Sequence, residues 1–192
     1  FTPGWFHLLT AAPSLKTINN RPLPATDTAQ RGTEHMYKSQ KLARVAPEIG
    51  ALRLGMGWSP EDLEKPQVLV ESTAGSSHPG SVHLGSLAQA AGEGVRGSGG
   101  QPSFFTVTDI CDGIAQGHDG MNYSLASREF ICNLIEIHAR STPFDGLVLV
   151  SSCDKAVPAH LMAAARLGLP AVHVPGGTMP AGPDFLTLEQ IG

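Results

Sequence analysis

Four consecutive aliphatic residues, Leu147-Val148-Leu149-Val150, stop abruptly at Ser151-Ser152-Cys153-Asp154-Lys155. A short unbroken apolar run of this kind reads as a strand buried on both faces, which is the condition of a parallel sheet covered by helices. Pro158 then suits the first turn of a helix, where its missing N–H costs nothing, and Gly168 marks the helix end. Cys153, Asp154 and Lys155 each can bind a metal or become a ligand for one. The sequence places them at the carboxyl end of a strand, in the strand-to-helix crevice where open α/β sheets bind ligands.

The rest of the chain repeats this alternation. Val68–Val70 reads as the first strand, followed by a long polar loop from Glu71 to Ser81. A helix is expected from Val82 to about Ala91, fraying into the glycine-rich stretch that follows. Phe104–Thr108 reads as a second strand. A helix from Ser124 or Ser127 to about Arg140 carries Phe130, Leu134 and Ile137 together with Ile131 and Ile135 on one apolar face, and Pro143 ends it. Ala171–Val174 reads as a fourth strand. Strands alternating with helices of this length predict an α/β fold, a three-layer α/β/α sandwich with a mostly parallel sheet. Residues 1–50, with Pro3, Pro13, Pro22 and Pro24 and no sustained periodicity, read as an irregular arm with one helical turn or two after Leu42. Residues 51–192 read as the domain. Within it, Ser59 and Pro60 signal a short capped helix, and the neighbouring Trp58 reads as a packed structural residue.

At 192 residues the chain can bury a substantial core. Its 13 basic and 17 acidic side chains form no Lys/Arg cluster, which argues against a nucleic-acid partner. No apolar run approaches the roughly 18 residues of a membrane span, so a soluble, cytoplasmic protein is expected. Three cysteines are too few for a disulfide framework and suit thiols or metal ligands. The sequence begins without Met and stops just after an apparent helix start, and is read as a piece of something longer.

Three strand ends carry reactive groups: Glu71 to His83, Asp109 to His118, and Cys153 to Lys155. In a parallel sheet these converge. Asp112 or Asp154 alone reads as a helix cap; together they are the oxygen pair a hard divalent cation needs. Cys153 beside them is a soft ligand suited to iron–sulfur, zinc or copper. Cys132, among apolar residues, reads as a buried inert thiol, and Cys111 as structural or close behind the site. Lys155 is either an ion-pair partner of Asp154 or an amine tuned for chemistry. His83 and His118 are candidate ligands or acid–base groups. The glycines from Gly113 to Gly120 match no nucleotide-binding pattern.

Cys111-Asp112-Gly113-Ile114-Ala115-Gln116-Gly117-His118-Asp119-Gly120-Met121-Asn122-Tyr123-Ser124 and the residues to Glu129 resemble a signature of the dihydroxy-acid and sugar-acid dehydratases, which include 6-phosphogluconate dehydratase. Ser152-Cys153-Asp154-Lys155-Ala156-Val157-Pro158 and Val174-Pro175-Gly176-Gly177-Thr178-Met179 are similar to two further signatures. The resemblance covers about residues 66 to 182, in the family's order and spacing.

The resemblance implies a set of roles. Cys153 is an iron–sulfur ligand, Asp112 and Asp154 bind Mg2+, and Lys155 is carbamylated and joins the magnesium shell. Lys155 and His118 are the candidate catalytic residues, and Cys111, His83 and Ser81 are candidates for a place just behind the site. The implied reaction dehydrates a 2,3-dihydroxy acid or sugar acid, as in sugar-acid metabolism or branched-chain amino acid biosynthesis. An iron of the cluster acts as Lewis acid on the leaving hydroxyl, and magnesium holds the carboxylate and its neighbouring hydroxyl. A homodimer or homotetramer is expected. One departure stands out: members with a [2Fe-2S] cluster carry Pro-Cys-Asn-x-His where this chain has Pro79-Gly80-Ser81-Val82-His83, which points to the [4Fe-4S] type. The family's remaining cluster cysteine, magnesium-binding glutamate and serine base would lie beyond Gly192, so this stretch alone is expected to be inactive. A non-catalytic α/β module binding a small acid or a protein is the alternative, although such a relic has no need of mixed soft and hard ligands.

Overall fold

Residues 36–187 and residue 190 are described by the computed structural model. Most of the expected arm therefore lies outside the described residues. The end of that segment is helical: α1 (Lys38–Val45) and α2 (Glu48–Gly55) precede a single turn, α3 (Pro60–Leu63). Ser59 caps this turn reciprocally with Asp62, its hydroxyl accepting from the Asp62 N–H at 3.2 Å and its own N–H donating to Asp62 Oδ2 at 3.0 Å. Trp58 packs under the Arg53 guanidinium, 4.4 Å from the ring centre, as a structural residue would.

Beyond this the elements are β1 (Gln67–Ser72), α4 (Leu84–Gly97), β2 (Gln101–Thr106), α5 (Asp112–Ala115), α6 (Ser124–Ser141), β3 (Gly146–Ser151), α7 (Ala156–Leu167) and β4 (Ala171–Pro175). The sheet order is β2-β1-β3-β4 and every pairing is parallel. Register runs from Val68 opposite Gly146 to Ser72 opposite Val150, which fixes the two central strands in step. Because successive strand residues face opposite ways, Leu69, Leu147 and Leu149 pack against Ile131, Cys132 and Ile135 of α6 and Ala156, Ala159 and Ala163 of α7. Val70 and Val150 pack on the other face against Leu84 and Ala88 of α4. Helices on both faces of a parallel sheet make the α/β/α sandwich expected from the alternation.

Three details differ from the sequence reading. The second strand, expected over Phe104–Thr108, runs from Gln101 to Thr106. The glycine-rich stretch does not fray; α4 continues through it to Gly97. Gly92 is the reason, since a Cβ there would collide with the Phe104 ring of β2, and its absence lets helix and strand approach closely. On α6, Ile131, Cys132 and Ile135 are fully buried, but Phe130, Leu134 and Ile137 are 64%, 41% and 63% exposed. At 100° per residue the two sets lie on nearly opposite sides of the helix, and only one faces the sheet.

At the amino ends of the strands, Asp145 ties three elements together. Its carboxylate accepts from the Ser39 N–H (2.8 Å), the Ser39 hydroxyl (2.6 Å) and the Gln67 N–H (2.7 Å), joining α1 to β1 just ahead of β3. Asp145→Ala leaves these donors without their acceptor and is expected to cost roughly 2–4 kcal/mol in urea unfolding. Asp145→Asn, which keeps one acceptor oxygen, is expected to recover part of that. An alanine variant as stable as the parent would show that this link contributes nothing.

Candidate metal centre

The strand order places the site. The chain steps outward from β1 to β2, then crosses back over β1 to β3, so the connections leave the sheet in opposite directions between β1 and β3. Their carboxyl ends open a crevice at this switch point. Three loops line it: Thr73 to His83 after β1, Val107 to Cys111 after β2, and Ser152 to Lys155 after β3.

One corner of the site is soft. Cys153 sits in the turn between β3 and α7 with φ of +66°, a left-handed conformation rare for a residue bearing a Cβ. Its sulfur lies 3.9 Å from Nδ1 of His78, whose Nε2 in turn lies 3.6 Å from Oδ2 of Asp109. One ligand atom from each of these three residues falls within 4.8 Å of the others. The His78 and Asp109 side chains are only 3% and 2% exposed. Burial pushes the Cys153 thiol up to about 11, helped by the negative charge of Asp109, a nearby Cys111, Asp154 and Asp112. Such a thiol is protonated at neutral pH, the reverse of an activated nucleophile. Burial likewise raises Asp109 to about 6 and lowers His78, which keeps the imidazole neutral. A cation among these donors would favour their metal-binding forms.

The adjacent corner is hard. Lys155 Nζ donates to Asp112 Oδ2 at 2.6 Å and to Asp154 Oδ2 at 2.9 Å, so a single ammonium stands between two carboxylates. The Ser124 hydroxyl at the start of α6 holds Asp112 through its other oxygen, at 2.8 Å. The Lys155 hydrogen bond lowers the Asp112 carboxyl, and the Asp112 bond raises the Lys155 amine. The ammonium lies between carboxylate oxygens of the kind a hard cation takes. The donor set at this edge thus fits both groups that the resemblance implies: a buried thiol with an imidazole for a soft metal, and paired carboxylates for a hard one.

The other candidates are placed differently. Ser81, buried, donates within its own loop to the carbonyls of Gly75 and His78, and so shapes the turn that carries His78. His83 pairs through Nε2 with the Gly176 carbonyl at 2.8 Å, linking the loops after β1 and β4. His118 is exposed; its Nδ1 accepts from the Gly120 N–H and its Nε2 donates to the Ile114 carbonyl, so both nitrogens serve its own loop. Cys111 stands at the position just before α5, with no capping side-chain bond, and Cys132 is fully buried in the core.

His78 and Asp109 were not singled out in the sequence, because a histidine before a proline and an aspartate three residues before Asp112 both read as loop residues. Glu71, read only as the start of a polar loop, is also part of this edge. It lies within β1, fully buried, and neither carboxylate oxygen has a hydrogen-bond partner among the described residues. The backbone N–H groups of Val107 and Ser72 are close enough to oppose the rise of its pKa but make no hydrogen bond of good geometry. The Thr73 hydroxyl and Asp109 Oδ2 are likewise buried and unpartnered. Orphaned polar atoms gathered at one end of a sheet are uncommon in a finished core and suit a site that receives a ligand.

The family described as dihydroxy-acid/6-phosphogluconate dehydratase N-terminal matches residues 65–191. The chain is similar to the dihydroxy-acid dehydratase of Halothermothrix orenii, 49% identical over 132 residues, which are 69% of this chain and 24% of the relative. The Pyrococcus abyssi dihydroxy-acid dehydratase is 48% identical over the same shares, 69% and 24%. That of Moorella thermoacetica is 48% identical over 141 residues, 73% of this chain and 25% of the relative. The chain thus spans about a quarter of the length of these relatives.

Burial raises Glu71 from the ordinary 4.5 to about 8. Its folded value lies above its unfolded one, so the stabilising effect of the neutral acid is complete below about pH 4 and disappears as pH rises through 8. Between pH 7 and 8 Glu71 is expected to lower stability by about 1 kcal/mol. Urea unfolding of Glu71→Gln should be flatter than the parent across that interval by this amount. A variant with the parent's slope would place the titration elsewhere.

Proposed function

The chain belongs to the dihydroxy-acid/6-phosphogluconate dehydratase family, as part of its N-terminal region, and on that premise we propose that the complete protein is a hydro-lyase converting a 2,3-dihydroxy acid or sugar acid to the 2-keto acid. The observation that carries this reading is the run Cys153-Asp154-Lys155, which places a soft sulfur donor beside a hard oxygen site within three residues. Two such sites in contact with one small substrate suit dehydration of such an acid, one for the leaving hydroxyl and one for the carboxylate. When bound, an iron–sulfur cluster supplies a Lewis-acid iron at the leaving hydroxyl, and magnesium supplies a clamp for the carboxylate and its neighbouring hydroxyl.

Cys153 would hold the cluster, its left-handed turn aiming the thiol back into the crevice and not along the helix. Asp112 and Asp154 would hold magnesium, with Ser124 fixing the orientation of Asp112. Lys155 has two states. As an ammonium it neutralises the two aspartates. As a carbamate it becomes an oxygen donor to the same site, and this requires the amine first to give up the proton that Asp112 and Asp154 stabilise. Occupancy of the carboxylates by a divalent cation removes that stabilisation, so lysine modification and metal binding are expected to be mutually dependent. The absence of a [2Fe-2S]-type cysteine at Gly80 favours a [4Fe-4S] cluster.

Three outcomes test this. In the complete protein, Cys153→Ser should abolish the brown chromophore and dehydratase activity together, whereas Cys132→Ala should retain both. Preparation without carbon dioxide should lose magnesium affinity and activity, and bicarbonate should restore them. Lys155→Arg, always charged and unable to form the carbamate, should fall by about 100-fold or more in either condition. Normal turnover by Lys155→Arg, or a free amine in active enzyme by mass spectrometry, would remove Lys155 from this role.

A further inference from the structure

Cys153 shares its corner with an imidazole that makes no short hydrogen bond among the described residues. His78 is only 5% exposed, yet among the described residues its ring nitrogens face just Cys153 Sγ, at 3.9 Å, and Asp109 Oδ2, at 3.6 Å. Neither is a short hydrogen bond. Burial of a polar ring in this state is unfavourable unless something completes it. Ligands of one tetrahedral metal at about 2.3 Å for sulfur and 2.0 Å for nitrogen lie about 3.5 Å apart. The Cys153–His78 pair is therefore a few tenths of an ångström from that spacing, and Asp109 stands on the far ring nitrogen, where carboxylates orient metal-bound histidines.

Position 80 gives the second, independent observation. A Cβ on Gly80 would collide with Cys153 Sγ and would also lie 3.3 Å from His78 Nδ1. A side chain at 80 and the imidazole of 78 thus compete for one space beside the thiol, and this chain fills it with the imidazole. We propose that His78 is a direct nitrogen ligand, through Nδ1, of the metal group held by Cys153, with Nε2–H donating to Asp109. This rests on the reading that Cys153 is an iron–sulfur ligand, and it makes the centre a mixed thiolate–imidazole one. It also explains why the loop carrying His78 is fastened by the buried Ser81 hydroxyl, which bonds the His78 carbonyl at 3.2 Å.

The test uses the complete protein reconstituted anaerobically with iron and sulfide and labelled with 15N-histidine. Pulsed EPR of the reduced cluster should show the strong coupling of a bound imidazole nitrogen. His78→Ala should lose that coupling, and His78→Cys should retain a cluster with a lower reduction potential and no nitrogen coupling, since thiolate replaces imidazole. A cluster whose spectrum shows only the weak coupling of a hydrogen-bonded histidine, or a strong coupling that survives His78→Ala, overturns the assignment while leaving Cys153 as a ligand. Parent protein that takes up no iron and sulfide overturns both readings.

Discussion

The parallel pairing of β1 with β3 is the constraint on which the site depends. With Val68 opposite Gly146 and Ser72 opposite Val150, both strands end at the same level. Because β2 lies on the far side of β1, the loops after β1, β2 and β3 all open onto one edge. A one-residue slip between β1 and β3 would turn Leu147 and Leu149 away from α6 and α7, and would carry Cys153 out of reach of His78. The aliphatic core that fixes this register thereby also fixes the spacing of the candidate ligands.

Charge is then left unbalanced at that edge. Asp112 and Asp154 share one ammonium, Lys155, and Asp109, already raised by burial, lies close enough to both carboxylates for their charge to raise it further. The thiol of Cys153 responds by holding its proton, and Glu71 by doing the same deeper in the sheet. These are signs of a place built for more positive charge than the side chains supply. The two corners answer to different chemistry: sulfur and imidazole on one side of Cys153, carboxylate oxygens on the other, with Lys155 joining Asp112 to Asp154.

Much of this was legible in the residues. Leu147–Val150 followed by Cys153-Asp154-Lys155 marked the strand end, and Pro158 and Gly168 bracketed α7, where Gly168 adopts the left-handed φ of 61° that suits its position. The pairing of Asp112 with Asp154 was legible as an expectation, because parallel strands bring their following loops together. Other features could not be read. The apolar residues of α6 follow helical spacing on two sides, and the sequence carries no mark of which side meets the sheet. The glycines of α4 look like a breaking signal until Phe104 is seen to need the space at Gly92.

The sequence by itself determined the α/β alternation, the family, and which residue types stand at each strand end, because strand burial and helix caps are local properties written in hydrophobic runs and in Pro, Ser and Gly. Only the tertiary structure decided which of those residues meet. His78 and Cys153 are 75 residues apart, and their approach at 3.9 Å depends on strand order, on the left-handed turn at Cys153 and on the missing side chain at Gly80. By the same means His118 and His83 were committed to loop contacts and Glu71 was buried without a partner. Contacts of this kind come from packing between distant segments, and no periodicity along the chain encodes them.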